Sequence, residues 1–328
     1  MSGQSSRSVR HVSYRLATPF AISRGIKTHA DVIQVEIRAS DFVGRGEAVP
    51  YSRYAESVAS CMEQIEQLPD RVYRSELQEL LPAGAARNAV DLALLDLEAK
   101  QTGKPVWQLL GLPMPEPLTM GGTISLGSSE QMGMAAKKLK DLGLIKVKLG
   151  GVRDEERIAA VREAAPESRL LVDANEGWSI AEFDRLLPFL IQANVELIEQ
   201  PCPASVDSEL AGLNSPILLC ADESFQGDAG IGEIREIFDF VNIKLDKSGG
   251  LTSGLQEVRN ARSAGLGVMV GCMVSSSLGI APAFLLAQLA DYSDLDGFTS
   301  VEKDEQNGMA VRSGMLSAPE SLWGYSLS

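Results

Sequence analysis

Residues 170–201 read LLVDANEGWSIAEFDRLLPFLIQANVELIEQP and contain one complete strand–helix–strand unit. Short apolar runs at its two ends predict buried strands, and these runs are followed by Asp173 and by Glu199. The apolar residues between them, over Ile180–Gln192, recur with helical spacing. Strands that alternate with helices are typical of parallel β-α-β units, in which the strand ends meet at one edge of the sheet.

The same alternation continues on both sides of this unit. Apolar or β-branched runs occur at Leu118–Ile124, Ile145–Leu149, Leu170–Val172, Val195–Ile198, Ile217–Cys220, Val241–Leu245 and Gly267–Val270. Helical segments such as Asp154–Ala165 separate them, and an eighth strand is predicted near Asp294. We therefore predict an α/β fold with a (β/α)8-type barrel. An open doubly wound sheet is the alternative, but no GxGxxG motif follows a strand, and the loose glycine cluster at 227–232 is expected to be a loop.

The first hundred residues favour an α+β arrangement instead. Val32–Arg38 alternates as a strand does, whereas Ser57–Leu68 and Gly84–Lys100 carry helical apolar spacing. Three prolines in Gly111–Pro117 mark the boundary. The predicted parts are an N-terminal α+β capping domain (residues 1–115), a β/α barrel (116–305) and a C-terminal segment that packs back on the capping domain (306–328).

Composition excludes several classes of function. There are 44 acidic and 30 basic residues and a formal net charge of −14, a balance that disfavours binding to nucleic acid or anionic membranes. The start, Met1–His11, is too polar for a signal peptide, and Gly, Ser and Pro residues interrupt the apolar stretch Leu266–Ala290. The four cysteines are scattered and form no CxxC pair, which favours reduced thiols and a cytoplasmic protein.

Histidine is nearly absent. His11 and His29 are the only two in the chain. A Ser-His-Asp triad or an HExxH zinc site would have to use one of them, and each is expected to be an edge-strand or surface imidazole. A general base farther along the chain must therefore be Lys, Asp, Glu, Tyr or Cys.

Ionisable residues lie at or just beyond five successive predicted strands. They are Lys148, Asp173, Glu199, Asp222 and Lys247, at spacings of 25, 26, 23 and 25 residues. Catalytic groups of β/α barrels lie at this end of the strands. Because three carboxylates at one mouth repel each other without a cation, Asp173, Glu199 and Asp222 predict one Mg²⁺ or Mn²⁺ ion per subunit. Structural ion pairing with lysine is the alternative.

Two pairs of lysines flank the predicted metal site. Lys146 and Lys148 are two residues apart and share a face of the second strand. Lys244 lies on the sixth strand, and Lys247 is expected just beyond it, in the loop at the mouth. The second and sixth strands of a ring of eight are opposed, so Lys148 and Lys247 can approach an α-carbon from opposite sides. This arrangement predicts a racemisation or epimerisation by 1,1-proton transfer through a metal-stabilised enediolate. Lys146 and Lys244 could instead be structural or metal-neutralising cations.

These motifs resemble the enolase superfamily, in particular its muconate-lactonising-enzyme subgroup. The motifs are the helix and loop ARNAVDLALLDLEAKQTGKPVWQLLG (86–111), KVK (146–148), DAN (173–175), EQP (199–201), ADES (221–224) and NIKLDKSGGL (242–251). The resemblance implies a capped barrel, Lys148 and Lys247 as the acid–base pair, and Asp173, Glu199 and Asp222 as metal ligands.

Within the subgroup the chain most resembles dipeptide epimerases. That resemblance implies that Asp294 and Asp296 hold the substrate α-ammonium and that Arg24 holds a glutamate side-chain carboxylate. A helix N-cap or solvated turn is the alternative for the two aspartates, and a surface position is the alternative for Arg24.

Five further residues accompany this site. Lys146 is grouped with the substrate-binding residues, and Asn175 and Glu223 are expected behind the ligands. Tyr51 and Arg53 have no role assigned from the sequence.

The predicted activity is the metal-dependent epimerisation of L-Ala-L-Glu and L-Ala-D-Glu, a dipeptide from peptidoglycan. Muconate cycloisomerase, o-succinylbenzoate synthase and N-acylamino acid racemase are alternatives within the subgroup. A Schiff-base aldolase and a barrel kept only for binding are alternatives from other classes. The small-molecule substrate is the predicted partner, with a homo-oligomer possible.

Overall fold

The computed structural model describes residues 6–213, 215–227, 230–319 and 321–325. Its N-terminal part contains an antiparallel sheet of strands β1 (Ser6–Ile22), β2 (Gly25–Ala39) and β3 (Phe42–Ala48). Helices α1 (Val58–Glu66), α2 (Leu77–Leu80), α3 (Ala85–Thr102) and α4 (Val106–Leu109) follow. Gly44 and Gly46 of β3 lie directly on the backbone of α3, where a Cβ atom would collide with Ala93 O or Ala89 O. This close packing confirms the α+β capping domain that the sequence predicts.

The rest of the chain forms the barrel. The short strand β4 (Leu118–Thr119) precedes it and belongs to a different sheet. The barrel strands are β5 (Gly121–Ile124), β6 (Leu144–Lys148), β7 (Arg169–Asp173), β8 (Val195–Glu199), β9 (Leu218–Ala221), β10 (Phe240–Ile243), β11 (Gly267–Gly271) and β12 (Tyr292–Asp294). Its helices are α5 (Ser129–Leu139), α6 (Asp154–Ala164), α7 (Ile180–Gln192), α8 (Asp207–Leu210), α9 (Ile231–Ile234), α10 (Leu245–Ser248), α11 (Leu251–Ser263) and α12 (Ser277–Ala287).

Strands β5 to β12 pair in parallel in chain order, and in the described part of the chain they make one sheet of eight strands. The predicted barrel is thereby confirmed. The predicted strand Leu118–Ile124 is wrong as a single element. Its first two residues, β4, pair with Met315 and Leu316 near the C-terminus and not with a barrel strand, and Met120 separates them from β5.

The two edge strands of this sheet, β5 and β12, meet through side chains. Thr123 N on β5 donates to Asp296 Oδ2 (2.6 Å), and Thr123 Oγ1 lies 3.4 Å from Asp294 Oδ1. These contacts bring the first and eighth strands together, so the sheet is nearly closed into a barrel with its strand ends around one mouth.

The C-terminal residues contact both parts of the chain. Strands β13 (Ala310–Arg312) and β14 (Met315–Ser317) form a small sheet with β4. Beyond them Trp323 Nε1 donates to Leu92 O of α3 (2.9 Å), and Gly324 N donates to Asp96 Oδ1 (2.8 Å). The three-part division remains a prediction, and its residues 1–5 and 326–328 lie outside the described ranges.

Across the described ranges, the helices are too short or too polar to cross a membrane.

Candidate active site

Three buried carboxylates lie at neighbouring strand ends. Asp173 and Glu199 are the last residues of β7 and β8, and Asp222 directly follows β9. Burial raises the pKa of Glu199, and the negative charge of Asp173 raises it further, to about 7. Burial opposes ionisation of Asp173 too, but nearby lysines outweigh it and hold the pKa of Asp173 well below its usual range. Three carboxylates buried this close together need nearby cations to neutralise their charge.

Lys146 occupies the centre of this acidic cluster. Its Nζ lies 2.6 Å from Glu199 Oε2, 2.8 Å from Asp294 Oδ2 and 3.1 Å from Asp173 Oδ2. Burial alone would lower its pKa, but these carboxylates hold the pKa well above its ordinary value. The side chain is only 2% exposed. These contacts favour a neutralising cation over the substrate-binding role predicted for Lys146.

Lys148 and Lys244 reach the mouth from opposed strands. Lys148 ends β6 and its Nζ lies 2.6 Å from Asp173 Oδ2, whereas Lys244 follows β10 and lies 2.6 Å from Asp222 Oδ2. In the strand order, β6 and β10 are separated by half the ring. Their side chains are 9% and 8% exposed, more than the other two lysines of the site. Burial lowers the pKa of Lys244, but Asp222 and Glu199 outweigh it and raise the pKa well above its ordinary value.

Lys247 is already saturated with hydrogen-bond acceptors. Its Nζ donates to Asp222 Oδ1 (2.6 Å) and to three backbone carbonyls, those of Asp222 (2.6 Å), Phe225 (3.2 Å) and Asn242 (3.0 Å). An ammonium group has three protons, so four acceptors leave none for a substrate. The side chain is 3% exposed and belongs to α10, whereas the sequence-based prediction placed it in a loop at the mouth. The structure therefore does not support the acid–base role predicted for Lys247.

The difference between the predicted and the observed position of Lys247 has a local cause. The sequence predicts that the sixth strand runs to Leu245, which puts Lys247 just beyond its end. In the structure β10 ends at Ile243, so Lys244 takes the strand-end position that Lys148 has on β6. The apolar pattern does not distinguish the last strand residues from the first turn of α10, because Leu245 is buried in both cases.

Lys247→Met tests this structural interpretation. Removing the ammonium takes the buried donor from Asp222 Oδ1 and from the carbonyl oxygens of Phe225 and Asn242. Asp222 keeps its ion pair with Lys244, so we expect a loss of about 1–3 kcal/mol in the free energy of unfolding. Urea denaturation measures this loss. Folded protein that retains wild-type stability but no activity would show instead that Lys247 takes part in the chemistry.

The donor chemistry of the site fits a divalent metal. Among the described residues no three acidic, cysteine or histidine side chains are already arranged as a metal cluster, and lysine nitrogens lie close to the carboxylates. Among the described residues, several buried oxygen atoms nevertheless accept no hydrogen bond, and those next to the carboxylate cluster include Glu199 Oε2, Asn175 Oδ1 and Glu223 Oε2. Lys146 Nζ is near the first of these but without hydrogen-bond geometry. Oxygen ligands of this kind suit Mg²⁺ or Mn²⁺, for which Asp173, Glu199 and Asp222 are the candidate ligands.

The two residues predicted behind the ligands touch this region. Asn175 N donates to Asp173 Oδ1 (2.8 Å) and so fixes the orientation of that carboxylate. Glu223 adjoins Asp222 and accepts from Arg24 Nη1 (2.6 Å). Both positions agree with a supporting role, which remains a prediction.

Arg24 connects the capping domain to the barrel mouth. Its Nη1 donates to Glu223 Oε1 and to Asn175 O (3.0 Å), and its Nη2 donates to Tyr51 Oη (3.3 Å). Burial lowers its pKa, but Glu223 outweighs burial, so the guanidinium stays charged. Nearby, Arg53 makes a bidentate ion pair with Glu176 (2.8 and 2.7 Å). The ion pair of Arg53 with Glu176 could not be predicted from the sequence, because the two residues are 123 positions apart.

Asp294 and Asp296 both face the seam of the barrel. Asp294 pairs with Lys146, whereas Asp296 accepts from Thr123 N. Burial raises the pKa of Asp296, and Asp294 raises it further, to about 6. An ammonium group placed between the two carboxylates would relieve this repulsion, which is the property that the predicted substrate contact requires.

A capped barrel with ionisable side chains gathered at its mouth is the architecture of β/α-barrel enzymes. Residues 131–327 match the family described as Enolase C-terminal domain-like, and residues 5–111 match the Mandelate racemase / muconate lactonizing enzyme N-terminal domain. The chain belongs to this family of the enolase superfamily.

Curated relatives define the kind of reaction. The L-Ala-D/L-Glu epimerase of Escherichia coli (strain K12) is 39% identical over 310 residues, which cover 93% of this chain and 97% of the relative. The N-acetyl-D-glutamate racemase of a Pseudoalteromonas species is 42% identical over 300 residues, covering 89% and 95%. The chain is therefore an isomerase. It belongs with the epimerases and racemases that act on dipeptides and other amino acid derivatives.

Solved structures of similar proteins indicate the same class of enzyme. An enolase family member from Agrobacterium tumefaciens with homology to dipeptide epimerases, with bound sodium and L-Ala-L-Glu, is 42% identical. It superposes with a TM-score of 0.94 over 97% of this chain and 99% of that one. A dipeptide epimerase from Methylococcus capsulatus complexed with Mg and L-Arg-D-Lys is 31% identical, with a TM-score of 0.88 over 97% of each chain. Magnesium in such relatives supports metal dependence for the family.

Proposed function

We propose that the protein epimerises L-Ala-L-Glu and L-Ala-D-Glu with Lys148 and Lys244 as the two acid–base residues. The observation that carries the proposal is the placement of these two amines on opposed strands, each 2.6 Å from a different candidate metal ligand. One divalent ion per subunit would be held by Asp173, Glu199 and Asp222. When bound, it supplies positive charge that stabilises negative charge developing on the substrate carboxylate.

The lysines divide the proton transfer between them. One amine in its neutral form removes the α-proton, and the opposed ammonium donates a proton to the other face of the resulting enediolate. The reverse reaction exchanges the two roles, so each lysine serves as base for one epimer. Because carboxylates raise the pKa of Lys244, a bound cation that takes up their charge would favour the neutral amine that the base requires.

Side chains around the mouth suit the two ends of the dipeptide. Asp294 and Asp296 offer negative charge to the α-ammonium, and Arg24 offers a guanidinium to the glutamate side chain. Arg24 is held by Glu223 and Tyr51 in the structure, so a substrate carboxylate would take the place of at least one of these partners. The Agrobacterium relative with bound L-Ala-L-Glu supports this choice of dipeptide.

Hydrogen–deuterium exchange tests the proposed reaction directly. The wild-type protein, loaded with Mg²⁺ in D₂O, is incubated with each epimer and followed by proton NMR. We expect loss of the glutamate α-proton signal together with appearance of the other epimer. Absence of exchange from both epimers, with calorimetry showing that the metal is bound, would contradict the proposed substrate.

N-Acyl-glutamate racemisation is the second candidate. The relative from Pseudoalteromonas favours it, and so does the engagement of Asp294 and Asp296 with Lys146 and Thr123, because an N-acyl group has no ammonium to bind. Relative kcat/KM values for L-Ala-L-Glu and N-acetyl-L-glutamate separate the two.

Asp296→Ala provides a further discrimination. If Asp296 binds the ammonium, the substitution should lower kcat/KM for L-Ala-L-Glu by about 10–100-fold, the loss of one charge-assisted hydrogen bond of about 1.5–3 kcal/mol, and spare N-acetyl-glutamate. The wild-type kcat/KM for the dipeptide should also rise as pH increases through about 6, where Asp296 ionises, and this rise should be absent in the variant. Equal losses for both substrates would indicate a purely structural role at the seam.

Two broader expectations accompany the proposal. A dipeptide of this composition is a fragment of peptidoglycan, so the enzyme would act in its recycling. The reduced state expected of the four cysteines is consistent with the proposed cytoplasmic location, and the described cysteines are free thiols.

A further inference from the structure

The turn that follows Lys244 is bound by a side chain from the capping domain. Arg87 of α3 donates from Nη2 to Ser248 O (2.7 Å) and from Nε to Gly249 O (3.1 Å). These carbonyls belong to the end of α10, whose first turn begins directly after Lys244. Helix α10 has only four residues, and the Arg87 guanidinium donates hydrogen bonds to two carbonyl oxygens at its end.

Two more side chains of α3 contact the same turn. Asn88 donates to Asp246 Oδ1 (3.0 Å), which also accepts from Val49 N (2.8 Å). One helical turn farther on, Asp91 accepts from Thr252 Oγ1 (2.6 Å) and Thr252 N (3.1 Å). Contacts from a single helix therefore extend over the whole segment 246–252.

The two glycines of the segment make these contacts possible. Gly249 and Gly250 both have positive φ angles, 76° and 119°, which favour glycine. A Cβ atom at Gly249 would collide with the Arg87 guanidinium, and one at Gly250 would collide with the Asp91 carboxylate. The two glycines of the NIKLDKSGGL motif thus leave the space that the polar side chains of α3 occupy.

The turn bound to α3 contacts the backbone of Lys244 directly. Lys244 O accepts from Lys247 N (2.9 Å), from Ser248 N (3.0 Å) and from Ser248 Oγ (3.1 Å). Lys148 is held differently, since it lies within β6 and pairs in register with Asp173 of β7. Lys148 is therefore itself paired in the sheet, whereas Lys244 lies one residue beyond the last paired residue of β10, Ile243, and its carbonyl is bonded to a turn that α3 holds.

We propose that Arg87, Asn88 and Asp91 are positioning residues for Lys244 and not for Lys148. The proposal rests on the function proposed above, in which each lysine is the base for one epimer. Loosening the turn should shift the amine of Lys244 while the amine of Lys148 stays in place. The consequence is a loss of proton exchange that is confined to one epimer.

Arg87→Met tests this prediction. Exchange of the glutamate α-proton in D₂O is measured for L-Ala-L-Glu and L-Ala-D-Glu separately, with the Mg²⁺-loaded protein. The epimer that no longer exchanges in Lys244→Ala should exchange about 10–100-fold more slowly in Arg87→Met, the cost of misplacing a catalytic group by about 1 Å. Exchange of the other epimer should stay at the wild-type rate. Asn88→Ala, a smaller change, should give the same pattern if Arg87→Met does not fold.

Arg162→Met is the matched control. Arg162 also donates to backbone carbonyls, those of Ala165, Pro166, Ser168 and Ala193, but it lies at the far end of α6. Its replacement should leave the ratio of the two exchange rates unchanged. The positioning role would be overturned if Arg87→Met slowed exchange of both epimers equally, or slowed exchange of the epimer that depends on Lys148. Exchange by the wild-type protein would still support the proposed function in that case. Wild-type protein that exchanges neither epimer would contradict the function itself.

Discussion

Lys244→Ala is expected to abolish epimerisation while leaving α-proton exchange of one epimer intact. Epimerisation needs both amines, because one removes the proton and the other returns it to the opposite face. Exchange needs only the amine that serves as base, since that amine can return a deuteron to the same face. Replacement of Lys244 should therefore lower the rate of epimerisation by about 10²–10⁴-fold or more, the usual contribution of a general base.

Lys148→Ala should give the complementary result. The epimer that continues to exchange in one variant should be the epimer that stops exchanging in the other. Proton NMR in D₂O measures exchange, and polarimetry or chiral chromatography measures epimerisation. Lys100→Ala, which removes a lysine that pairs with Asp96 on α3, is the control and should leave both rates unchanged. Two variants that block the same epimer would contradict the division of roles.

Removing the divalent ion should have an effect of comparable size. Dialysis against a chelator is expected to lower epimerisation by about 10³-fold or more, because electrostatic stabilisation of the developing charge is lost. Addition of Mg²⁺ should restore the rate. Activity that survives exhaustive chelation would show that the carboxylates serve only as partners of the lysines.

The role of Glu199 as a metal ligand can be tested by measuring the protons released when Mg²⁺ binds. Its pKa is raised to about 7, so near pH 7 part of the protein carries a protonated Glu199 that must ionise before it binds a cation. Calorimetry in buffers of different ionisation enthalpy should therefore detect proton release on Mg²⁺ binding, with affinity rising between about pH 6 and pH 8. Glu199→Gln should lose both the release and most of the affinity. Glu196→Gln, on the same strand but paired with Arg169 near the surface, should retain them.

Regular spacing made the barrel predictable. Carboxylates at steps of about 25 residues identify the ends of β7, β8 and β9, because one β-α unit of a barrel has that length. The same regularity does not distinguish Lys244 from Lys247 at the sixth strand, because both fit the spacing. Only the backbone shows that β10 ends at Ile243.

Contacts between distant residues could not be read from the sequence. The seam contact of Thr123 with Asp296 joins residues 173 apart, and the contact of Arg87 with Ser248 joins residues 161 apart. Periodicity and local motifs carry no information about such pairs. The positions of Lys146 and Lys247 relative to the surrounding acceptors could not be predicted either, and these positions are the reason to propose a neutralising ammonium in place of a substrate-binding or acid–base residue.

A crystal structure with Mg²⁺ and L-Ala-L-Glu would test the central claim most directly. It should place Nζ of Lys148 and Nζ of Lys244 on opposite faces of the glutamate α-carbon, each at about 3–3.5 Å, the separation of reacting groups. Lys247 Nζ should remain among its backbone carbonyls. The claim would be contradicted by both amines on one face, or by Lys247 at the α-carbon in place of Lys244.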